Sequence, residues 1–123
     1  MNKTVKIPGA DHPITISRNP KKVRISTGGV VIAETAHALT LREAAYPAVQ
    51  YIPRNDANMA LLAKTDRSTY CPYKGDAGYF TINAGGKTLE NAIWTYEQPY
   101  DSVKEIAGHL AFYPDKVTIE ELP

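Results

Sequence analysis

The sequence predicts a small, mainly β domain with two short helices. Runs rich in Val, Ile, Thr and Tyr recur along the chain and are separated by Gly-Gly, Pro and Asp turn signals. A length of 123 residues allows one hydrophobic core but not two. The eight tyrosines suit half-buried strands and pocket walls, because each ring packs while its hydroxyl reaches a partner. We therefore expect one domain over residues 1–123.

The chain is expected to begin with an arm and a hairpin. Residues 1–20 are interrupted by three prolines, and Ile14 and Ile16 alternate there with polar residues, which predicts an extended arm packed on the body as an edge strand. Gly28-Gly29 then separates two β-rich runs. Since glycine accepts the positive φ of a tight hairpin turn, these runs predict a β-hairpin. Its strands are residues 23–27 and 30–34.

The remaining elements follow from shorter patterns. Asp56 is placed to cap a helix over residues 57–63, and Asp101 to cap a second helix that ends at Gly108. Four further strands are predicted at residues 38–42, 48–52, 78–83 and 89–97. A last hairpin is expected around Pro114-Asp115. Its strands are residues 109–113 and 117–119.

Composition excludes several classes of partner. The net charge is +1, from 14 basic and 13 acidic residues that are interspersed, so we expect no nucleic-acid partner. The single cysteine excludes an intrachain disulfide and a multi-cysteine zinc site. The three histidines lack metal-ligand spacing, and we expect neither a metal nor a cofactor. With no signal-peptide core and no apolar span of about 20 residues, we expect a cytoplasmic protein without a membrane partner.

The segment Thr69-Tyr70-Cys71-Pro72-Tyr73-Lys74-Gly75 holds the only cysteine among rigid and aromatic neighbours. Cys71 is the candidate nucleophile, and Lys74 follows it by three residues. Pro72 and Gly75 indicate a turn, so Lys74 lowers the pKa of the thiol only if the turn aims both side chains the same way. Because cysteine often packs as a small apolar residue, Cys71 is either a nucleophile or part of a wall.

Aromatic residues supply the candidate binding groups. Trp94 and Tyr96 lie two apart on a predicted strand and should emerge on the same face. Side by side they either hold a planar ligand or a cation, or fill the core. We place Tyr51 beside them in a pocket. Glu43 adds a carboxylate there, as an acid or as the partner of a neighbouring arginine.

His109 is the candidate general base. It shares a strand face with Tyr113, opposite Leu110 and Phe112, so we expect it to face solvent or a cleft. An imidazole there either transfers protons or only makes hydrogen bonds at the surface. His12 and His37 lie in loop-like segments and receive no role.

The whole chain resembles the bacterial "domain of unknown function 427" family. The resemblance rests on Cys71-Pro72-Tyr73-Lys74-Gly75 and Trp94-Thr95-Tyr96, with Leu39-Thr40-Leu41-Arg42-Glu43 before them and His109-Leu110-Ala111-Phe112-Tyr113-Pro114-Asp115 after them. It implies a small twisted two-sheet fold similar to β-tent domains, without the paired Cys-x-x-Cys zinc ligands of some of them. The family is sometimes labelled nucleotidyltransferase-like, but this chain has no Asp-x-Asp or Asp-x-Glu pair to hold divalent cations.

Three functions remain open from the sequence. The leading hypothesis is a domain that binds a small molecule or a modified side chain in an aromatic-lined pocket. Its residues are Tyr51, Cys71, Lys74, Trp94 and Tyr96, with Glu43 beside them. The first alternative is a thiol-dependent enzyme in which Cys71 attacks and His109 or Glu43 moves protons. The second is a protein-interaction module that uses exposed tyrosines as anchors. The oligomeric state is left open.

Overall fold

The computed structural model describes residues 3–123, so the first two residues of the predicted arm lie outside the described residues. The fold is a small, mainly β single domain, as predicted. Its strands are β1 (Ile14–Arg18), β2 (Lys22–Thr27), β3 (Val30–Thr35), β4 (Leu39–Glu43), β5 (Val49–Tyr51), β6 (Leu62–Cys71), β7 (Gly75–Ala84), β8 (Lys87–Thr95), β9 (Leu110–Phe112) and β10 (Thr118–Leu122).

These strands form three antiparallel sheets. Their orders are β1-β4-β5, β10-β2-β3 and β6-β7-β8-β9. The resemblance implied two sheets. The structure has a third, because the sheet that contains β5 is joined to β9 only by an isolated bridge beyond the end of β5. There Ile52 and Leu110 exchange two backbone hydrogen bonds, each 2.8 Å long, which join the end of β5 to β9. The first sheet and the four-stranded sheet are therefore connected through this bridge.

The hydrophobic core consists of two clusters that share the four-stranded sheet. Phe80, Ile82 and Ile93 belong to one cluster together with residues of β2 and β3. Tyr79 and Tyr96 belong to the other together with residues of β4 and β5. Because successive side chains of a strand point to opposite faces, apolar residues on both faces mean that both are covered. The four-stranded sheet thus lies at the centre of the domain.

The hairpin around Gly28-Gly29 is confirmed. β2 and β3 pair through Thr27 and Val30, and the two glycines have φ values of 56° and 79°. The predicted edge strand also exists, since β1 pairs only with β4 in its sheet. Earlier in the arm, the backbone N–H of Lys6 donates to the Pro72 carbonyl at 2.9 Å. This bond ties the arm to the segment that holds the cysteine.

Of the two predicted short helices, the second is confirmed and the first is wrong in extent. Within residues 57–63 only Met59–Leu61 is helical, as a 3₁₀ turn that follows another at Arg54–Asp56, and β6 begins at Leu62. Residues 62–71 pair with β7 instead, in a strand that the sequence analysis did not predict. The second helix is a 3₁₀ segment, Asp101–Ile106, interrupted at Val103, where φ is −131°.

The predicted C-terminal hairpin is also wrong. β9 pairs with β8, and β10 pairs with β2, so the two strands belong to different sheets. Leu110, Ala111 and Phe112 are all buried, because the two faces of β9 contribute to different clusters. Over residues 3–123, no helix has the length and apolar character needed to cross a bilayer.

Candidate functional site

A cleft of about 610 Å³ opens on the side of the four-stranded sheet that faces β4 and β5. Six of the seven residues proposed from the sequence line it, and the seventh, His109, does not. The six are Glu43, Tyr51, Cys71, Lys74, Trp94 and Tyr96. Tyr79 and Tyr113, to which the sequence analysis gave no pocket role, also line this cleft.

Trp94 is the centre of the aromatic wall. It pairs across the sheet with Tyr79 on β7 and with Ala111 on β9. Its indole N–H donates to the Tyr51 hydroxyl at 3.2 Å, and the two rings meet edge to face with centroids 6.4 Å apart. The Tyr113 ring lies 4.6 Å away on a tilted plane. The single tryptophan is thus held between two tyrosines beside an open cavity.

The tyrosine hydroxyls of this wall differ in their surroundings. Burial is the main cause that raises the pKa of Tyr51 and of Tyr96 well above the ordinary value of 10.0. Burial and a hydrogen bond with Tyr79 raise the pKa of Tyr113 to about 12. Burial opposes ionisation of Tyr79 too, but hydrogen bonds led by that from Thr69 lower its pKa overall. Tyr51 and Tyr96 therefore remain neutral O–H donors at any physiological pH.

A trio of hydrogen-bonded polar side chains lies at one side of the cleft. Lys74 is 7% exposed, and its ammonium group donates to Glu43 Oε1. His12 Nε2 lies 2.7 Å from Glu43 Oε2. Burial disfavours the charge on Glu43, but the hydrogen bonds with Lys74 and His12 outweigh it and hold the pKa of this carboxyl below its ordinary value. The carboxylate thus bridges two nitrogen groups.

The register of the first sheet places this trio. β1 pairs with β4 so that Ile14 lies opposite Glu43, and His12 precedes Ile14 by two residues. The His12 ring stacks on Tyr73 with centroids 4.0 Å apart and planes 5° apart. After Glu43 the chain turns through Ala44, whose φ is 47°, and the Ala44 N–H donates to the Pro13 carbonyl at 2.8 Å. Backbone bonds on both sides of Glu43 therefore fix its direction.

The turn after β6 aims Cys71 and Lys74 at the same space. Lys74 N–H donates to the Cys71 carbonyl at 3.2 Å, and Lys74 Nζ lies 3.8 Å from Cys71 Sγ. Cys71 is a half-buried free thiol. The sequence left the relative direction of these side chains open, and the turn makes them converge.

His109 lies apart from this group. It precedes β9, follows the 3₁₀ segment and Gly108, and its Nδ1 lies 3.1 Å from the Ala107 carbonyl oxygen. The imidazole that reaches the site is that of His12, in the arm. Its signal in the sequence is indirect, because only the pairing of Ile14 with Glu43 places a residue near 12 beside that carboxylate.

A second groove, of about 370 Å³, runs beside the irregular part of β6. Its walls carry both signs of charge, including Lys64, Asp66 and Arg67. None of the residues proposed from the sequence lines it. No group of three or more His, Cys, Asp or Glu side chains within residues 3–123 is arranged to hold a metal ion.

Comparison with protein families gives a match. A family model described as "Domain of unknown function (DUF427)" matches residues 15–122, which is nearly the whole chain. No curated protein matches the chain.

Proposed function

The chain belongs to the DUF427 family, and from that premise we propose that its cleft binds a small molecule or a modified side chain of another protein. One observation carries the proposal: Trp94, Tyr51, Tyr96 and the Lys74–Glu43 pair line a single cavity of about 610 Å³. Ligand pockets usually measure some 300–1,000 Å³ and combine apolar walls with a few placed polar groups. This cleft has both properties.

The buried ion pair supports the same proposal. Removing two charges from water is unfavourable, and a well-packed apolar pair of similar volume is often at least as stable. Lys74 and Glu43 therefore contribute little that the fold could not obtain otherwise. Their position on the wall of an open cavity gives them a use, since they set the orientation of whatever enters it.

The test uses the single tryptophan as a local reporter. A library of metabolites and nucleotides is titrated while Trp94 fluorescence and the melting temperature are followed together. A ligand of the cleft should change both signals, because Trp94 lines the cavity and binding to the folded state stabilises it. Compounds that raise the melting temperature without changing Trp94 fluorescence would bind elsewhere and contradict the proposal.

A matched pair of variants sharpens this test. Tyr113→Ala removes the ring that packs on Trp94, and we expect it to weaken binding roughly tenfold. Tyr100→Ala is the control, because Tyr100 bonds to Tyr70 and does not line the cleft. Equal effects of the two variants would count against the cleft as the binding site.

A thiol-dependent enzyme is the second candidate, favoured by the 3.8 Å approach of Lys74 Nζ to Cys71 Sγ. In this proposal the Glu43–His12 pair takes the proton-transfer role that we first gave to His109 or Glu43, because these two groups lie beside Lys74. The rate of alkylation by iodoacetamide tests it, with the same protein unfolded in urea as reference. An activated thiol reacts faster in the folded protein, and slower reaction when folded would end this candidate.

The protein-interaction module is the remaining proposal. It would be favoured over the first two if no compound of the library changed Trp94 fluorescence and if the protein associated with itself or captured a defined partner. We also propose the bacterial cytoplasm as its location, which the free thiol of Cys71 suits because that compartment keeps thiols reduced. Cell fractionation with an antibody against the chain tests this.

A further inference from the structure

The charges of the cleft compensate one another. Among residues 3–123, Glu43 and Lys74 are the only acidic and basic side chains that line it, and they form an ion pair. A ligand that carried a full charge would leave water for a cavity that offers no uncompensated partner. An anion would also lie close to the Glu43 carboxylate, and a cation close to the Lys74 ammonium. The cleft is therefore suited to an uncharged ligand.

The carboxylate and amide oxygens that line the cleft already have partners. Both carboxylate oxygens of Glu43 have partners, Lys74 on one and His12 on the other. Gln50 also lines the cleft, and its carbonyl oxygen accepts from Asn19 at 3.0 Å and from Thr40 at 2.9 Å. A ligand that mainly donates hydrogen bonds would find, among the described residues, free side-chain oxygens only on the tyrosine hydroxyls of these walls.

Several hydrogen-bond donors of the cleft, in contrast, have no acceptor in the described part of the chain. The Tyr51 hydroxyl accepts from Trp94, and its own proton has no acceptor among residues 3–123. The Tyr96 hydroxyl has no partner within the same range, and it is not sealed from the cavity. The Lys74 ammonium has three N–H groups, of which Glu43 and the weakly accepting Cys71 sulfur take two.

These donors line the same cleft, since Tyr51, Lys74 and Tyr96 all belong to its walls. The Glu43 carboxylate, which accepts from Lys74, also lies near enough to both phenols to oppose their ionisation and raise the pKa of each. Since burial keeps both phenols protonated, their donor character does not change over the physiological pH range. A single oxygen acceptor placed among these groups would satisfy donors that now have no partner.

We propose that the ligand of this cleft is an uncharged planar ring that bears a carbonyl oxygen. The ring packs against Trp94, and the oxygen accepts hydrogen bonds from Tyr51, Tyr96 and Lys74. A planar ring fits because the wall around Trp94 consists of aromatic rings, which pack best on flat apolar partners. This inference rests on the proposed binding function and specifies the class of its ligand.

Four probes of matched size test the inference. They are 2-naphthamide, 2-naphthoate, 2-naphthylmethylammonium and 2-methylnaphthalene, which share one ring system and differ in charge and in the acceptor. Each is titrated against the intact protein while the Trp94 indole N–H signal is followed by NMR. We expect 2-naphthamide to have the lowest Kd, by roughly fivefold to tenfold over 2-methylnaphthalene, as one or two satisfied donors would give.

The variant Tyr96→Phe provides the second arm, because it removes one donor and keeps the ring. It should reduce the preference for 2-naphthamide over 2-methylnaphthalene by about threefold or more, and Tyr100→Phe should leave that preference unchanged. Tightest binding of the anion, the cation or the hydrocarbon would overturn the inference and leave the binding function intact. Binding of none of the four would overturn the inference as well. The binding function itself fails only if the metabolite library also leaves Trp94 unchanged.

Discussion

Glu43 connects the parts of the site at the scale of single residues. Its carboxylate bonds to Lys74, which is 7% exposed, and to His12 of the arm. We expect Glu43→Gln to lower the free energy of unfolding by about 1–2 kcal/mol, because the amide leaves the Lys74 charge without a counter-charge but still accepts a hydrogen bond. Urea denaturation measures this. The matched control is Glu34→Gln, because Glu34 pairs with Arg24 at the surface. This variant should lower the free energy of unfolding much less.

The same carboxylate predicts a pH dependence. The pKa of Glu43 in the folded protein is below its ordinary value of 4.5. Its ionised form therefore contributes its full stabilisation above about pH 4.5, and that contribution is lost as the pH falls through the lower, folded-state value. We expect the stability of the natural chain to fall more steeply below pH 4.5 than that of Glu43→Gln. Parallel curves for the two proteins would show that Glu43 does not titrate as proposed.

At this scale the sequence placed six of its seven candidate residues at the cleft, but it predicted neither their geometry nor the position of His12. That Trp94 and Tyr96 share a face follows from the two-residue period of a strand, and both line the cleft. The convergence of Cys71 and Lys74 depends on the turn between them, whose direction spacing alone does not specify. His12 was missed because its partner lies 31 residues away and only strand register brings them together.

At the scale of elements, two hairpin turns pack against each other. The turn of β2–β3 meets that of β7–β8, and a Cβ built on Gly85 would lie 3.3 Å from the Cα and carbonyl oxygen of Gly28. Both Gly85 and Gly86 have positive φ, but nothing surrounds the Cβ position of Gly86. We expect Gly86→Ala to lower the free energy of unfolding by about 1 kcal/mol from backbone strain alone. Gly85→Ala should lower the free energy of unfolding by about 2 kcal/mol, because its Cβ would also press on Gly28. Equal decreases for the two variants in urea denaturation would show that the turns do not press on each other.

The elements that the sequence predicted correctly are those with local signals. The β2–β3 hairpin has alternating strands and a Gly-Gly turn. β6 was missed because its middle, Lys64-Thr65-Asp66-Arg67-Ser68, is polar and lies at the edge of its sheet, where little apolar burial is required. The C-terminal hairpin was mispredicted because turn residues at Pro114-Asp115 say nothing about partners elsewhere in the chain. β9 instead pairs with β8, the strand before it, and β10 pairs with β2, near the other end of the chain.

At the scale of the whole molecule, the two hydrophobic clusters depend on the same strands. β7 contributes Phe80 to one cluster and Tyr79 to the other, and β9 divides its residues in the same way. Neither cluster can lose its packing without exposing the central sheet that supports the other. The cleft is formed by the cluster that contains Tyr79, so its integrity should be tied to the stability of the whole domain.

This coupling predicts a single cooperative unfolding transition. Trp94 fluorescence reports on the cleft and far-UV circular dichroism on all sheets, and we expect their urea midpoints to coincide. Ile52→Ala tests the coupling, because Ile52 is fully buried in the cluster opposite Tyr79 and bridges to Leu110. The variant should lower the free energy of unfolding by about 2–4 kcal/mol and shift both urea midpoints equally. An earlier change in circular dichroism than in Trp94 fluorescence would mean that the cleft survives without the opposite cluster, so that the two sides of the sheet unfold separately.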